Sequence, residues 1–331
     1  SVTGVQTCAL PISTDNRGVP IFNSVFNLTA PKQGKSVALT IDSTIQFIVE
    51  QSLDQAMAKT KAQSATVIVM NPRTGEILAM ASRPTYDPNR FYQYSPAEWK
   101  NRAVSVIYEP GSTFKTIVAA AALEEKLVRP EDRFEDAGYV EVSGRRIKNW
   151  NDESFGNISF TEIIKYSVNT GFVEIGMRLG AEKLNAYTRA FGFGQHTGIE
   201  LPGEEQGILF NPRNMRESDL ATMSIGHSIA VTPLQLLTAV AAIANDGVLV
   251  KPHIIKEVYN PDGSLDYAVP TQPVRQVVSP ATAKALTMMM EKVVSEGGGK
   301  LAAVPGYRFA GKTGTAEKLQ ADGSGYAGGH Y

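Results

Sequence analysis

The feature that most constrains the fold is an apolar, alanine-rich segment at residues 112–127, which follows Pro110 and Gly111 directly. Its sequence, STFKTIVAAAALEEKL, predicts a helix that is hydrophobic on nearly every face. Such a helix needs cover from other elements on all sides, so we expect it at the centre of a domain. The chain has 331 residues, which is long enough to supply that cover.

Hydrophobic periodicity and turn residues predict the elements around this helix. Further helices are predicted at residues 43–62, 159–179, 181–191, 232–246 and 280–296. Strands are predicted at residues 65–70, 76–82 and 307–317, and a long ordered loop at residues 83–110. Asp42 or Ser43 is expected to cap the first helix, and Ser279 the last. The first two strands form a hairpin and the third is expected to join its sheet, which predicts an α+β fold with a separate helical region.

Charge and composition argue against several classes of function. The chain carries 32 basic and 33 acidic residues for a net charge of -1, without the block of like charge that nucleic acid or an anionic membrane would favour. No apolar run is long enough to cross a bilayer. The histidines lack paired ligand spacing and no phosphate-binding glycine loop is present, so we predict neither a metal nor a cofactor. The histidines are His196, His227, His253 and His330.

The first residues of the chain differ in character from the rest. Residues 2–12, VTGVQTCALPI, resemble translated sequencing-adapter sequence, and we exclude residues 1–12 from the fold as a scar. They contain Cys8, the single cysteine, so no internal disulfide is predicted. Residues 13–35 are polar and turn-rich and read as a linker or the end of a preceding domain. The domain itself is predicted to occupy residues 36–331.

The start of the central helix carries groups suited to nucleophilic catalysis. Ser112 and Lys115 are three residues apart and therefore share one helix face. A serine hydroxyl needs a base, and a lysine kept neutral by burial or by a second cation can take its proton. The helix N-terminus adds a field that favours developing negative charge. A Ser-x-x-Lys pattern alone, however, arises about once by chance in a chain of this length.

Two further polar motifs follow along the chain. Ser167-Val168-Asn169 lies within the predicted helix 159–179, and Lys312-Thr313-Gly314-Thr315 lies within the predicted late strand. Taken alone, the Ser167 motif reads as satisfied core polar groups or an exposed helix face, and the Lys312 motif reads as a glycine-rich bulge on an exposed edge strand. The order Ser-x-x-Lys, Ser-x-Asn, Lys-Thr-Gly on a helix, a helix and a late strand is far more specific than any one motif.

With this ordered set the chain resembles the class B penicillin-binding proteins, the monofunctional peptidoglycan transpeptidases of septation and elongation. Segments that also resemble the family are YEPGSTFK at 108–115, TGIELPGE at 197–204, SIGHSIAVTPLQL at 224–236 and AGKTGTAE at 310–317. TYDPN at 85–89 and NRAVS at 101–105 favour the division-type branch. The resemblance covers residue 35 to the end. It implies an antiparallel sheet flanked by helices plus an all-helical subdomain.

The resemblance also implies a role for each motif residue. Ser112 would attack the penultimate D-alanine carbonyl of a stem peptide, or a β-lactam ring, and Lys115 would accept its proton. Ser167 would pass a proton to the leaving amine, with Lys312 close to it. Asn169 would hold Lys115 or the substrate amide in place. The chain is therefore expected to be a serine acyltransferase that works through an acyl-enzyme.

Substrate binding and partners follow from the same resemblance. Thr313, Gly314 and Thr315 would bind the terminal carboxylate, and the backbone N–H groups of Ser112 and Thr315 would hold the oxyanion. The implied partners are stem peptides or their lipid-linked precursor, β-lactams, a membrane glycosyltransferase and division-complex proteins. The implied location is the extracytoplasmic face of the bacterial membrane, with a single N-terminal anchoring helix outside this chain.

The chain departs from the family pattern in two places. The family usually has glutamine or an aromatic residue at the position of His227, which we expect to cap the following helix rather than to act in catalysis. The chain ends at Tyr331, where the family continues with two strands and a terminal helix. We therefore expect a truncated sheet with an open edge beside the lysine strand, and poor folding of this chain by itself.

Two alternatives share the acylation chemistry. A class A serine β-lactamase carries an additional glutamate that activates water, and has Asp where this chain has Val168. A β-lactam sensor would carry the same domain at the end of a membrane receptor. The division-type segments argue against the sensor, and the sequence that precedes Ser13 would distinguish it from a synthase.

Overall fold

The computed structural model describes residues 17, 33–150, 152–319 and 326–330. The predicted scar at residues 1–12 lies outside the described residues, as does most of the predicted linker at 13–35. The helices are α1 (Ser43–Thr60), α2 (Arg102–Ser105), α3 (Lys115–Glu124), α4 (Phe160–Tyr166), α5 (Asn169–Leu179), α6 (Ala181–Ala190), α7 (Glu217–Met223), α8 (Pro233–Ala244) and α9 (Pro280–Ser295).

The strands are short and pair antiparallel. They are β1 (Ser36–Leu39), β2 (Ala65–Met70), β3 (Ile77–Arg83), β4 (Arg133–Asp136), β5 (Tyr139–Val142), β6 (Arg145–Lys148), β7 (Gly156–Ser159), β8 (Val248–Val250), β9 (Ile255–Tyr259), β10 (Leu265–Ala268), β11 (Pro273–Gln276), β12 (Glu317–Leu319) and β13 (Tyr326–His330). Helices mixed with antiparallel pairs make up the predicted α+β class.

The chain divides into two compact units. The smaller unit contains a three-stranded sheet in the order β1-β9-β10, in which β9 pairs with a neighbour on each side. An ion pair of 2.7 Å between Lys35 and Asp266 links its outer segments. The larger unit contains all of the predicted helices and motifs.

The core of the larger unit is built around α3, as the sequence predicts. Every side chain from Lys115 to Ala122 is buried. Helices α5, α6, α8 and α9 contact α3 and cover its faces. The alanine run lets these helices approach closely, because small side chains leave little between the backbones.

The predicted helix and hairpin near the start of the larger unit are also confirmed. The Asp42 carboxylate caps α1 by accepting from the Thr44 and Ile45 N–H groups, both at 2.9 Å. Val49 and Leu53 of α1 are buried in one cluster with the small side chains of β3. The last long helix, α9, begins at the predicted cap Ser279, whose hydroxyl accepts from the Thr282 N–H.

The predicted helix 159–179 is wrong as a single element. It is divided into α4 and α5 at Ser167, which has a left-handed φ of 59°. The N–H groups of Asn169 and Thr170 at the start of α5 are bound by the Asn149 side chain, with Oδ1 distances of 3.0 and 3.3 Å. Since Asn149 comes from a distant segment, local periodicity carries no signal for this break.

The predicted late strand at 307–317 is also wrong over most of its length. Residues 307–316 have no strand pairing, and β12 begins only at Glu317 and pairs with β13. Among the described residues, the β2–β3 hairpin is a separate two-stranded sheet. Gly314 instead lies close to the turn that carries Ser112, where a Cβ would be 2.7 Å from Thr113 Cγ2 and 3.2 Å from the Pro110 carbonyl oxygen. The Lys-Thr-Gly segment thus packs against the turn that carries Ser112.

Candidate active site

The candidate nucleophile lies in a turn that is held at its backbone. Ser112 is in the 3₁₀ turn Gly111–Phe114, which leads directly into α3. The Gly111 N–H donates to the Gly226 carbonyl at 3.0 Å, and the Thr113 hydroxyl donates to the Pro110 carbonyl at 2.6 Å. These bonds fix the position of the Ser112 backbone before any substrate binds.

Lys115 is buried beneath this turn and points toward the second motif. Its Nζ donates to Asn169 Oδ1 at 2.6 Å, to the Ser167 carbonyl at 2.8 Å and to Ser167 Oγ at 3.2 Å. Burial lowers the pKa of the Lys115 ammonium well below its ordinary value, and the nearby charge of Lys312 lowers that pKa further. Both effects favour the neutral amine that a general base requires.

The third motif meets the second at the hydroxyl of Ser167. Lys312 Nζ donates to Ser167 Oγ at 2.8 Å and to the Thr313 carbonyl at 2.8 Å. Burial lowers the pKa of the Lys312 ammonium to about 8. Ser167 Oγ is therefore within hydrogen-bond reach of two amines, one from α3 and one from a segment 145 residues away.

A single cavity of about 1060 Å³ gathers the predicted site residues. Its lining includes Ser112, Ser167, Asn169, Thr313, Gly314 and Thr315. Lys115 and Lys312 join this set through their hydrogen bonds to Ser167. The structure thus brings all of the sequence-predicted residues together. Their individual catalytic roles stay predictions.

A buried carboxylate supports the second motif and was not predicted from the sequence. Asp136 accepts from the Thr170 hydroxyl at 2.7 Å and from the Asn149 side chain at 2.9 Å. Asn149 in turn binds the Asn169 N–H, so the network reaches the residue that holds Lys115. Burial alone would raise the pKa of Asp136, but its hydrogen bonds, led by that of Thr170, lower it overall.

The prediction that His227 caps the following helix is wrong. Helix α8 is capped by Thr232, whose hydroxyl accepts from the Gln235 N–H at 3.1 Å while Gln235 Oε1 accepts from the Thr232 N–H. His227 instead lines the cavity that contains Ser112. Its Nδ1 lies 2.8 Å from Oε2 of the buried Glu109.

Membrane spans and metal sites are both absent from the described residues. No described helix has both the length and the apolar character that a membrane crossing requires. Within the same ranges, no group of three or more His, Cys, Asp or Glu side chains is placed to hold a metal ion.

Residues 65–331 match the family model described as the penicillin binding protein transpeptidase domain. The chain belongs to this family. It is 43% identical over 311 residues to Stage V sporulation protein D of Bacillus subtilis, covering 93% of this chain and 48% of that protein. It is 30% identical to a peptidoglycan D,D-transpeptidase FtsI homolog of Mesostigma viride, covering 98% of this chain and 58% of that protein. The chain therefore spans about half the length of these relatives.

Solved structures agree with this family assignment. The crystal structure of penicillin binding protein 3 from Mycobacterium tuberculosis has a TM-score of 0.84 and 34% sequence identity, covering 90% of this chain and 68% of that chain. The same protein has been crystallised in complex with ampicillin. The predicted family and the predicted fold class are both confirmed. The site described above therefore lies in a penicillin-binding transpeptidase fold.

The charge on Lys312 gives a pH-dependent expectation. Because its pKa is about 8, the amine is charged below that pH and neutral above it. The charged ammonium is a stronger hydrogen-bond donor to Ser167 than the neutral amine, so the acylation rate of Ser112 should fall as pH rises through about 8. Stopped-flow acylation by a fluorescent penicillin measures this fall. In Lys312→Arg, which stays charged, the fall should disappear. The same fall in both enzymes would assign it to another group.

Asp136 gives an expectation for stability and activity together. Asp136→Asn replaces an acceptor of several hydrogen bonds by a side chain that also donates, so the free energy of unfolding should drop by about 1.5–3 kcal/mol. Acylation should also slow, because Asp136 holds Asn149, Asn149 holds the start of α5, and Asn169 at that start binds Lys115. Urea unfolding and penicillin labelling measure the two effects. The control Asp132→Asn alters a partly exposed carboxylate that pairs with Arg129 and lies outside the Asp136 network, so it should change little. A stable Asp136→Asn protein with unchanged acylation would contradict the supporting role.

Proposed function

We propose that the chain is the catalytic domain of a peptidoglycan D,D-transpeptidase, a serine acyltransferase that cross-links stem peptides. The observation that carries this proposal is the position of Ser167 Oγ, bound by Lys115 and Lys312 in the cavity that Ser112 lines. That arrangement supplies a nucleophile, a buried base and a path for a proton. Relatives that are named as D,D-transpeptidases support the same reading.

In the proposed acylation step, Lys115 takes the Ser112 proton while the hydroxyl oxygen bonds to the penultimate D-alanine carbonyl carbon. The scissile C–N bond then breaks, and the proton passes through Ser167 to the departing D-alanine amine. Lys312 donates to Ser167 and holds its hydroxyl in line for this transfer. Lys115 ends the step neutral, as it began.

Two sets of groups would bind the substrate in this step. The Thr313 and Thr315 hydroxyls, beside Gly314, would hold the terminal carboxylate. The backbone N–H groups of Ser112 and Thr315 would stabilise the oxyanion, each worth about 3–4 kcal/mol of barrier. A close approach of these segments supports this pairing, because a Cβ at Gly111 would meet the Thr315 carbonyl oxygen.

β-Lactams would acylate Ser112 in place of the stem peptide. The complex of penicillin binding protein 3 with ampicillin supports this, since that protein shares the fold over 90% of this chain. The wider setting is also proposed from the relatives: peptidoglycan precursors as substrates, a membrane glycosyltransferase and division proteins as partners, and anchoring at the extracytoplasmic face of the membrane.

The proposed function is tested by donor and acceptor turnover in the full-length protein. With a thioester analogue of the stem peptide as donor and D-alanine as acceptor amine, we expect the transfer product, and none from Ser112→Ala. Nitrocefin should give a long-lived adduct. Hydrolysis of the donor without transfer, together with rapid nitrocefin turnover, would overturn the proposal in favour of a serine β-lactamase.

A further inference from the structure

We propose that His227, oriented by Glu109, is a catalytic residue of the second half-reaction, in which an acceptor amine attacks the acyl-enzyme. The inference rests on the proposed function and adds a base for the acceptor. His227 takes a proton from the attacking amine, and Glu109 is a positioning residue that fixes the imidazole ring.

The backbone places His227 next to the nucleophile turn. Tyr108 and Val231 exchange two hydrogen bonds, Tyr108 N–H to the Val231 carbonyl at 3.0 Å and the reverse at 2.9 Å. Further along the same antiparallel pair of segments, the Gly111 N–H donates to the Gly226 carbonyl. Ser112 directly follows Gly111 and His227 directly follows Gly226. Both side chains line the same cavity.

A buried carboxylate fixes the ring of His227. Its Nδ1 lies 2.8 Å from Glu109 Oε2, and Glu109 Oε1 accepts from the Ser228 N–H at 2.9 Å. The Glu109 side chain is only 6% exposed, whereas that of His227 is 23% exposed. A carboxylate beside Nδ1 requires the proton on that nitrogen, so Nε2 is the basic nitrogen of the neutral ring. The His227 ring thus has a fixed tautomer and lines the cavity that contains Ser112.

Lys115, the proposed base of the acylation step, is badly placed to take a proton from the acceptor amine. Lys115 has no exposed surface, and its amine is engaged with Ser167 and Asn169. A base that meets an incoming amine has to stand on the cavity wall, where substrate arrives. His227 meets this condition and lies on the segment bound to the nucleophile turn.

The proposed step is balanced in atoms and protons. The neutral acceptor amine attacks the acyl carbonyl carbon, a C–N bond forms, and the amine proton passes to His227 Nε2. The bond between that carbon and Ser112 Oγ then breaks, and His227 returns the proton to the serine oxygen. The products are an amide and free Ser112, and His227 is neutral again. No further reagent is needed.

The decisive experiment separates acylation from transfer in the full-length protein. Acylation is timed with a fluorescent penicillin, and transfer is measured with the thioester donor and, as acceptor, a stem peptide that carries a free side-chain amine. D-Alanine is avoided here, because its attack would simply reverse the departure of D-alanine through Ser167. In His227→Gln, we expect the ratio of the transfer rate to the acylation rate to fall about 100-fold, the size of a general-base contribution. Glu109→Gln should lower the same ratio, because an amide at Nδ1 permits the wrong tautomer. His196→Gln is the matched control for an exposed histidine and should leave the ratio unchanged.

The possible results distinguish the two proposals. A ratio in His227→Gln that equals the wild-type ratio would overturn the role of His227 while leaving the transpeptidase function standing. Equal losses of acylation and transfer would also overturn it, since a merely structural residue gives that result. Absence of a Ser112 adduct in the wild-type protein would overturn the proposed function and this inference with it.

Discussion

Replacement of Lys115 by methionine should slow the acylation of Ser112 by about 10²- to 10⁴-fold, the usual contribution of a positioned base. The amine is fully buried and bonded to Ser167 and Asn169, so no water molecule or other side chain can easily take its place. Methionine has a similar shape and suits the apolar surroundings of α3, so the protein should stay folded. The second-order rate constant for fluorescent penicillin measures the loss.

The matched control for this substitution is Lys165→Met. Lys165 lines the same cavity, but its amine pairs with Glu296 at 3.0 Å instead of with the motif residues. Its acylation rate should stay close to that of the wild type. If Lys115→Met acylates within tenfold of the wild type while circular dichroism shows a folded protein, Lys115 is not the base.

Substitution of Gly226 by alanine should cost about 3 kcal/mol or more of unfolding free energy and remove most acylation. Gly226 has a φ of 88°, where a side chain is strained by about 1–2 kcal/mol. A Cβ there would also meet the Gly111 carbonyl oxygen, and backbone cannot move aside as a flexible side chain can. The segments that carry Ser112 and His227 would separate as a result. Guanidinium unfolding and penicillin labelling measure both effects.

Gly306→Ala separates backbone strain from the close contact. Gly306 has a φ of 85°, but a Cβ there would meet no atom within 4 Å. This variant should therefore lose only about 1–2 kcal/mol, the cost of the left-handed conformation, and should be acylated normally. Equal losses in the two variants would show that the contact between Gly226 and Gly111 contributes little.

The elements and motifs that the sequence predicts are those with local signals. The central helix follows from the apolar run after Gly111, and α1 follows from Asp42 and the helical spacing after it. The placement of Ser112 and Lys115 on successive turns at the start of the central helix follows from their spacing of three residues. The hydrogen bonds that Lys115 and Lys312 both make to Ser167, in the cavity that Ser112 lines, are not a local property of the sequence. They were predictable only from the ordered set of motifs.

The features that escaped prediction depend on contacts between distant segments. The break at Ser167 needs Asn149, and Asn149 needs Asp136, yet none of these residues forms a local motif with another. The role of His227 as a cavity residue depends on Glu109, which is 118 residues away. The segment around Lys-Thr-Gly is predicted as a strand because its aromatic residues and threonines are common in strands. Its packing against the nucleophile turn is a tertiary contact that periodicity does not report.

The most direct test of the central claim is the site of the covalent adduct in the full-length protein. After incubation with benzylpenicillin, mass spectrometry of proteolytic peptides should locate one added penicilloyl group on Ser112, and Ser112→Ala should carry none. An adduct on another residue, or equal labelling of the two proteins, would mean that the hydroxyl at the head of the buried helix is not the nucleophile.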